Sequence, residues 1–239
     1  MNSEQTETRK IKVWDLQTRL FHWALVVLIA LAYVSAEFGG GAFVSKLGWF
    51  GYVTDMDLHS ALGYCLLTLV LYRLAYGLIG STTARFSDFV NGPRAALDYL
   101  KRVRAGEAPL IAGHNPAGGL MVLALLLAVL VQSVVGLFTT NEDDMFDAPL
   151  SGLVGQGMAN AFTEFHEIWF NVILAAVVIH VAAALFYLFV KGENLIRPMV
   201  LGWKPWPSGA PEPRLTFVSP LVALLLLGLA GGLVWLIVG

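Results

Sequence analysis

The chain has 239 residues, of which 57% are hydrophobic and 13% are charged, and its formal net charge at pH 7 is -2. A soluble domain carries about 25% charged residues. The composition therefore excludes an ordinary soluble domain and predicts an integral membrane protein. The near-neutral charge gives no indication of a nucleic-acid partner.

Five segments are apolar over the ~20 residues that a helix needs to cross a bilayer. They cover residues 19–37, 59–80, 117–139, 166–190 and 216–238, and clusters of Gly, Pro and polar residues separate them. We therefore predict an all-α integral membrane protein, in which a bundle of four transmembrane helices is followed by a fifth, C-terminal transmembrane helix. Residues 1–239 are predicted to form a single membrane domain.

The distribution of Lys and Arg predicts the orientation of these helices. Three segments that alternate with the others are basic, and they contain Arg9, Lys10, Lys12 and Arg19, then Arg85, Arg94, Lys101, Arg102 and Arg104, and finally Lys191, Arg197, Lys204 and Arg214. The other two loops contain only Lys46, and the second of them carries Glu142, Asp143, Asp144 and Asp147. Because cytoplasmic loops are rich in Lys and Arg, the N-terminus is predicted in the cytoplasm and the C-terminus in the periplasm of a bacterial inner membrane.

Four histidines lie near the ends of the predicted helices. His22 is near the start of the first helix, His59 at the start of the second, and His166 and His180 are fourteen residues apart on the fourth. Fourteen residues span ~21 Å and just under four turns, so these two side chains share a helix face. With the predicted orientation, His59 and His166 lie at the outer level, whereas His22 and His180 lie at the inner level. Ionisable side chains within a membrane span usually mark a functional site.

Two histidines from different helices at one depth are suited to holding a haem iron from both sides. The single cysteine, Cys65, excludes the Cys-x-x-Cys-His motif of covalently attached haem. Gly63, one turn after His59, would let the haem plane approach the helix, and Arg19 and Arg73 are placed to pair with propionates at the inner level. One isolated histidine near a helix end is more often a packing residue, and Arg73 has the alternative of snorkelling to the interface.

His114 stands in the sequence Gly113-His-Asn-Pro116, just before the third predicted helix. Histidine titrates near neutral pH, so it is a candidate proton carrier beside a quinone. We predict a quinone site at the inner haem, near Trp14, Arg19, Trp23 and His114. The alternative is that His114 is a loop residue next to the helix N-cap.

These motifs resemble the bacterial cytochrome b561 family, which includes the cytochrome b subunits of nickel-iron hydrogenases. The similarity lies in Trp14-Asp-x-x-Thr-Arg-x-x-His22-Trp23, His59-x-x-x-Gly63, Gly113-His-Asn-Pro116-x-Gly118, the His166/His180 pair, and Lys191-Gly-Glu-Asn-Leu-Ile-Arg197, and it covers residues 11–204. It implies two non-covalent haem b groups with bis-histidine ligation, carried by His22, His59, His166 and His180.

The fifth predicted helix departs from the four-helix pattern of this family. Residues 216–238 contain Gly228-x-x-x-Gly232, a small-residue pattern of helix packing in membranes. Docking of an electron-transfer partner, a homodimer contact and bracing of the bundle are three interpretations of this helix.

Three functions follow as hypotheses. The leading one is an electron-transfer subunit, rather than a stand-alone enzyme, that connects the quinone pool to a periplasmic redox protein such as a cytochrome c or a hydrogenase. The acidic outer residues, together with Asp55 and Asp57, would attract a basic partner, although a solvated loop is the alternative. The second hypothesis is a superoxide oxidase that reduces ubiquinone, and the third is a haem-free transporter with a histidine proton relay.

Overall fold

The computed structural model describes residues 7–37, 54–107, 109–142 and 145–239. In chain order its elements are β1 (Thr8–Lys12), α1 (Leu16–Glu37), α2 (Asp55–Ile79), α3 (Phe86–Phe89), α4 (Gly92–Arg104), α5 (Pro116–Gly136), β2 (Thr140–Asn141), β3 (Phe146–Asp147), α6 (Gln156–Phe189), α7 (Ile196–Leu201), β4 (Trp203–Pro207) and α8 (Pro220–Val238). Single 3-10 turns occur at Thr82–Ala84 and Ser151–Leu153. The protein is thus an all-α integral membrane protein with two small antiparallel strand pairs.

The five predicted spans are confirmed as α1, α2, α5, α6 and α8, each of which is long and apolar enough to cross a membrane. The predicted start of the fourth span at residue 166 is wrong, because α6 begins ten residues earlier at Gln156. Its first turns carry Gln156, Asn160 and Glu164, which lower the hydropathy without opposing a helix. A polar extension of this kind cannot be found from apolar length alone.

The fifth span also begins later than predicted, at Pro220 instead of residue 216. Proline suits the first position of a helix and disfavours helical backbone in the residue before it. The preceding segment is instead tied to the turn after α2: the amide of Thr216 donates to the Thr82 hydroxyl, and the amide of Val218 donates to the Ser81 hydroxyl.

The chain forms two compact units. The first comprises Met1–Leu20, Ala75–Leu123 and Val178–Ala223, and the second comprises Phe21–Leu74, Ala124–Val177 and Leu224–Gly239. Thirteen of the 15 Lys and Arg residues belong to the sequence ranges of the first unit; the other two are Arg73 and Lys46. Lys46 lies outside the described residues.

The second unit contains a four-helix core. Val70 of α2, Val129 of α5 and Ile173 of α6 are almost fully buried against one another, and Leu25 and Ile29 of α1 pack on them. The fifth span joins this core through one face, since Val234 of α8 is buried against Leu67 and Leu137. Gly228 and Gly232 lie on the exposed side of α8. Within this unit α8 therefore braces the bundle, while its small-residue pattern remains on the surface.

The first unit is organised around the start of α1. Strands β1 and β4 pair in antiparallel register from Thr8 with Pro207 to Lys12 with Trp203. Next to this sheet, Asp15 caps α1, because its Oδ1 accepts a hydrogen bond of 2.7 Å from the amide of Thr18. Its Oδ2 accepts a hydrogen bond of 2.6 Å from the hydroxyl of Tyr76. Burial alone would raise the pKa of Asp15, but hydrogen bonds from Ser81, Thr18 and Tyr76 outweigh burial and hold the pKa below its ordinary value.

Helix α4 was not predicted from the sequence. It lies in the basic loop between the second and third spans, and its Ala96, Tyr99 and Val103 are buried. The Tyr99 hydroxyl is 2.8 Å from the Tyr187 hydroxyl, and Lys191 Nζ donates to the Val103 carbonyl at 2.7 Å. These contacts hold α4 to the C-terminal end of α6.

Candidate functional site

The structure brings His59 of α2 and His166 of α6 together within the second unit. Their ring centroids are 6.2 Å apart, and the two ring planes are inclined at 77°. Both side chains are partly buried, and both line one cavity. Helix depth predicted that His59 and His166 lie close together, and the structure shows that they do. Their role as ligands stays a prediction.

The tautomer of His59 is set by the backbone of α1. His59 Nδ1 is 2.9 Å from the carbonyl oxygen of Ala32, which can only accept, so Nδ1 carries the proton. The Ser35 hydroxyl donates to the same carbonyl at 2.9 Å, and its oxygen lies 3.2 Å from His59 Nδ1. Ser35 is itself 1% exposed. Nε2 of His59 is therefore left with its lone pair available, as a metal-binding imidazole requires.

His166 is held by a different arrangement. The side-chain amide of Gln132 donates to the backbone carbonyl of His166 at 3.1 Å. The ring itself lies against the backbone of α5 at Gly136, where an added Cβ would come within 3.0 Å of His166 Cε1. Its Nδ1 is buried without a hydrogen-bond partner among the described residues. An imidazole in this position fits a site in which a further group interacts with the ring.

The spacing of the two rings fits a metal held between them. With a metal–nitrogen distance of about 2.0 Å and a ring radius of about 1.1 Å, two imidazoles that bind the same metal can have centroids at most about 6.2 Å apart. The observed separation is 6.2 Å. In the described part of the chain, no group of three or more His, Cys, Asp and Glu side chains is arranged to hold a bare ion. Two imidazoles from different helices suit an iron whose other ligands come from a macrocycle.

The cavity beside these rings has a volume of about 590 Å³, within the range of sites for small molecules and cofactors. Helices α1, α2, α5 and α6 all contribute to its wall, and Gly63 lines it with no atom within 4 Å of where a Cβ would stand. Glu37, Asp55 and Glu167 also line it, while none of the described lining residues is Lys or Arg. Lys46, which is the one basic residue of the two loops predicted on the outer side, lies outside the described residues.

His22 and His180 are both partly buried. His22 belongs to the second unit, where its ring meets the edge of Trp23 at 5.0 Å between centroids, and His180 belongs to the first unit. Trp23 is 39% exposed. The inner pairing of His22 with His180 stays a prediction.

Trp14 and His114, two of the residues predicted at a quinone site, are in contact in the first unit. The His114 ring lies between Trp14, at 4.7 Å, and Phe89, at 4.6 Å. The residue that caps α5 is Asn115, whose Oδ1 accepts a hydrogen bond of 2.8 Å from the amide of Gly118. His114 is thus an aromatic packing residue just before the cap, and a role toward quinone stays a prediction.

The two arginines predicted near propionates have different surroundings. Arg19 donates to the carbonyls of Val200 at 2.5 Å and Asp15 at 3.3 Å. Two of the five guanidinium N–H groups of Arg19 account for these contacts. Arg73 is 2% exposed, and its guanidinium carbon lies 6.0 Å from the Phe21 ring centroid. Arg73 is therefore inside the protein and does not snorkel along the surface, as the alternative interpretation required.

The acidic loop between the third and fourth spans is only partly described, because Asp143 and Asp144 lie outside the described residues. Around them, β2 and β3 pair Thr140 with Asp147 and Asn141 with Phe146. The Thr140 hydroxyl donates to Asp147 at 2.6 Å, and Gln156 donates to Glu142 at 3.3 Å. This hairpin thus presents Glu142 and Asp147 beside the N-terminus of α6.

Comparison with known proteins places this site in context. Residues 13–202 match the family described as prokaryotic cytochrome b561, which is most of the chain. The chain belongs to the prokaryotic cytochrome b561 family. A similar protein from Azotobacter vinelandii, named "Probable Ni/Fe-hydrogenase B-type cytochrome subunit", is 26% identical over 230 residues, which cover 87% of this chain and 95% of the relative. No solved structure matches the chain.

Membership in this family makes the chain a membrane cytochrome of the haem b type that takes part in electron transfer. The resemblance seen in its motifs is thereby confirmed. The haem-free transporter hypothesis does not agree with this family and is not retained.

Three residues that shape the site of His59 and His166 were not identified from the sequence, namely Ser35, Gln132 and Gly136. Each acts through a partner on another helix: His59 is 24 residues from Ser35, and His166 is 34 residues from Gln132. Polar or glycine positions inside a span are a weak signal of this kind. Only the folded contacts identify which atom each of them supports.

Proposed function

We propose that this cytochrome b561 carries two haem b groups and transfers electrons between the membrane quinone pool and a periplasmic redox partner. The outer group would be held by His59 and His166, and the inner one by His22 and His180. The observation that carries the proposal is the His59–His166 pair, whose 6.2 Å centroid spacing and shared cavity would let both imidazoles hold one iron. We also propose that residues 1–239 act as one membrane domain, since each of the five spans contributes to both compact units.

A bound haem would supply reversible one-electron chemistry, and the protein residues would position it and set its surroundings. Ala32 fixes the His59 tautomer through its carbonyl, and Ser35 shares that hydrogen bond. Gly63 and Gly136 leave room on α2 and α5 where larger side chains would intrude. Arg19 and Arg73 are proposed to offset the negative charge of propionates at the inner level.

The direction across the membrane rests on charge. The first unit contains thirteen of the 15 Lys and Arg residues, which favours the cytoplasmic side for its loops. The outer cavity is instead lined by Glu37, Asp55 and Glu167. Helix α6 carries His166 and His180 fourteen residues apart, so an electron would pass between levels ~21 Å apart along one continuous helix.

The periplasmic partner is proposed to be a basic or hydrogenase-type redox protein. Glu142 and Asp147 lie on the outer hairpin, where they would attract a basic surface. The name of the Azotobacter vinelandii relative points to a nickel-iron hydrogenase as an alternative to a cytochrome c. A homodimer through the exposed Gly228 and Gly232 side of α8 is a further proposal.

The superoxide oxidase hypothesis ranks lower. Superoxide is an anion, and a site that collects it needs a positive entrance. The described residues that line the outer cavity include three carboxylates and neither Lys nor Arg. Rapid haem reduction on mixing the oxidised protein with superoxide would reverse this ranking.

Four histidine variants test the haem assignment. His59→Ala and His166→Ala should each remove one and the same haem, and His22→Ala and His180→Ala should each remove the other, as measured by haem per polypeptide and by the low-spin electron paramagnetic resonance signals. His114→Ala is the matched control, because it removes an imidazole and should retain both haems. Loss of the same haem in His22→Ala and His59→Ala would refute the pairing by depth.

A separate experiment tests the proposed quinone site near Trp14, Arg19, Trp23 and His114. A menaquinone analogue added to the reduced protein should change the spectrum or the oxidation rate of the inner haem. His114→Gln should weaken that response while both haems remain bound. An analogue without effect on either haem would contradict the site.

A further inference from the structure

We propose that helix α4 lies in the membrane–water interface and that its outward face binds anionic phospholipid headgroups. The helix connects the second and third spans on the same side of the protein as the end of α6. Its outward face is defined as Arg94, Leu97, Leu100, Lys101 and Arg104. No part of the proposal depends on the haem assignment.

The buried side of α4 fixes its level. Tyr99 contacts Tyr187 at 2.8 Å between hydroxyl oxygens, and the Val103 carbonyl accepts from Lys191 Nζ at 2.7 Å. Because α6 is a membrane span that ends at Phe189, Tyr187 and Lys191 lie where the chain leaves the bilayer. Helix α4 is therefore attached at the height of the lipid headgroups.

The outward face combines apolar and basic residues. At about 100° per residue, its five members fall within an arc of about 120°, separate from the arc of the buried residues. Leu97 is 58% exposed and Leu100 is 49% exposed. Packing within the first unit therefore buries only about half of each of these two leucine side chains. Arg94, Lys101 and Arg104 are exposed around them.

This combination fits a lipid surface better than an aqueous one. Leucines on a surface helix enter the boundary of the acyl chains, while flanking Lys and Arg side chains reach phosphate groups. Asp98, which pairs with Lys101 at the solvent-exposed surface, offsets only one of the three cations of the outward face, so the face keeps a net positive charge. Each such Lys or Arg near the membrane surface strengthens binding to anionic lipid about fivefold.

The first test measures where the face lies. The protein carries Cys65→Ser, so that the dye reacts only at an introduced cysteine. An environment-sensitive dye is attached at Leu97→Cys or at Arg102→Cys. The labelled protein is then placed in nanodiscs of phosphatidylcholine and phosphatidylglycerol. Position 102 is about 140° away from position 97 on the helix and serves as the control. Brominated lipids should quench the dye at position 97 and leave the dye at position 102 unchanged.

The second test measures lipid preference with a matched pair. Arg104→Gln and Arg102→Gln remove the same charge from the last turn of α4, but only Arg104 belongs to the outward face. Native mass spectrometry should show about fivefold weaker retention of phosphatidylglycerol in Arg104→Gln and little change in Arg102→Gln. Equal effects of the two variants would overturn the proposal. Quenching at position 97 by a water-soluble quencher instead of by brominated lipid would also overturn it, and would indicate a face open to a soluble partner.

Discussion

The contact between Gly136 and His166 gives the sharpest test of the outer site. In Gly136→Ala, the new Cβ would lie 3.0 Å from His166 Cε1 and 3.4 Å from Nδ1. Carbon atoms in ordinary contact are about 3.5–4.0 Å apart, so the ring must move by roughly 0.5 Å or more. Metal–ligand distances tolerate only about 0.2 Å. Overpacking of this type costs about 1–3 kcal/mol, so we expect about 5- to 150-fold weaker haem binding at the proposed site of His59 and His166.

The same substitution should spare the remainder of the protein, because replacing glycine by alanine in a helix is favourable by up to about 1 kcal/mol. The assay is haem content after titration with free haem, combined with the low-spin resonance signal assigned to the outer site. Gly231→Ala is the matched control, since its Cβ would meet Thr68 at an ordinary 3.7 Å. If Gly136→Ala bound haem with wild-type affinity and an unchanged signal, His166 would not be seated on α5 as described, and the reasoning would fail.

Three further substitutions probe the fold. Asp15→Asn removes a carboxylate that accepts from Tyr76, and should lower the free energy of unfolding by about 1–3 kcal/mol at pH 7. The pKa of Asp15 is lowered in the folded protein. Its contribution to stability is therefore present above the ordinary pKa near 4 and is lost as the pH falls through the folded pKa. In thermal unfolding in detergent, the difference in melting temperature between wild type and Asp15→Asn should therefore shrink on acidification. Ile173→Ala leaves a cavity in the four-helix core and should cost about 2–5 kcal/mol, with a much smaller loss pointing to collapse of the site. Lys204→Gln breaks contacts to Glu193 at 2.6 Å and to the Ile111 carbonyl at 2.7 Å. It should lower the free energy of unfolding by about 1–2 kcal/mol, since Glu193 is 41% exposed and the ion pair is partly screened. Lys101→Gln breaks an exposed ion pair and should leave the free energy of unfolding almost unchanged in the same melting experiment.

The five spans could be predicted because lipid imposes a minimum apolar length that the sequence records directly. The start of α6 could not, because Gln156, Asn160 and Glu164 extend the helix beyond the apolar stretch. Helix α4 was missed for a related reason. Its apolar residues are divided between a buried side, with Tyr99, and an exposed side, with Leu97, so the segment has the composition of a basic loop.

The proximity of His59 and His166 could be predicted from helix direction alone, since each lies near the start of its span and the second and fourth spans run in the same direction across the membrane. Gly136 has no comparable signal. A glycine at the end of a span is common, and its importance here comes from a ring on another helix that uses the missing Cβ. Sequence spacing therefore identifies candidate ligands, but the residues that seat them depend on how the spans rotate against each other.

The nitrogen that His59 presents to the cavity is decided by α1 and not by the histidine. Ala32 lies 27 residues away, and a helix carbonyl retains a second lone pair after it has accepted its own backbone hydrogen bond. The Ser35 hydroxyl and His59 Nδ1 share this remaining lone pair, so the protein directs Nδ1 toward α1 and leaves Nε2 for the cavity. The imidazole of His59 thus has a fixed tautomer before any cofactor binds, and the carbonyl that fixes it belongs to another helix.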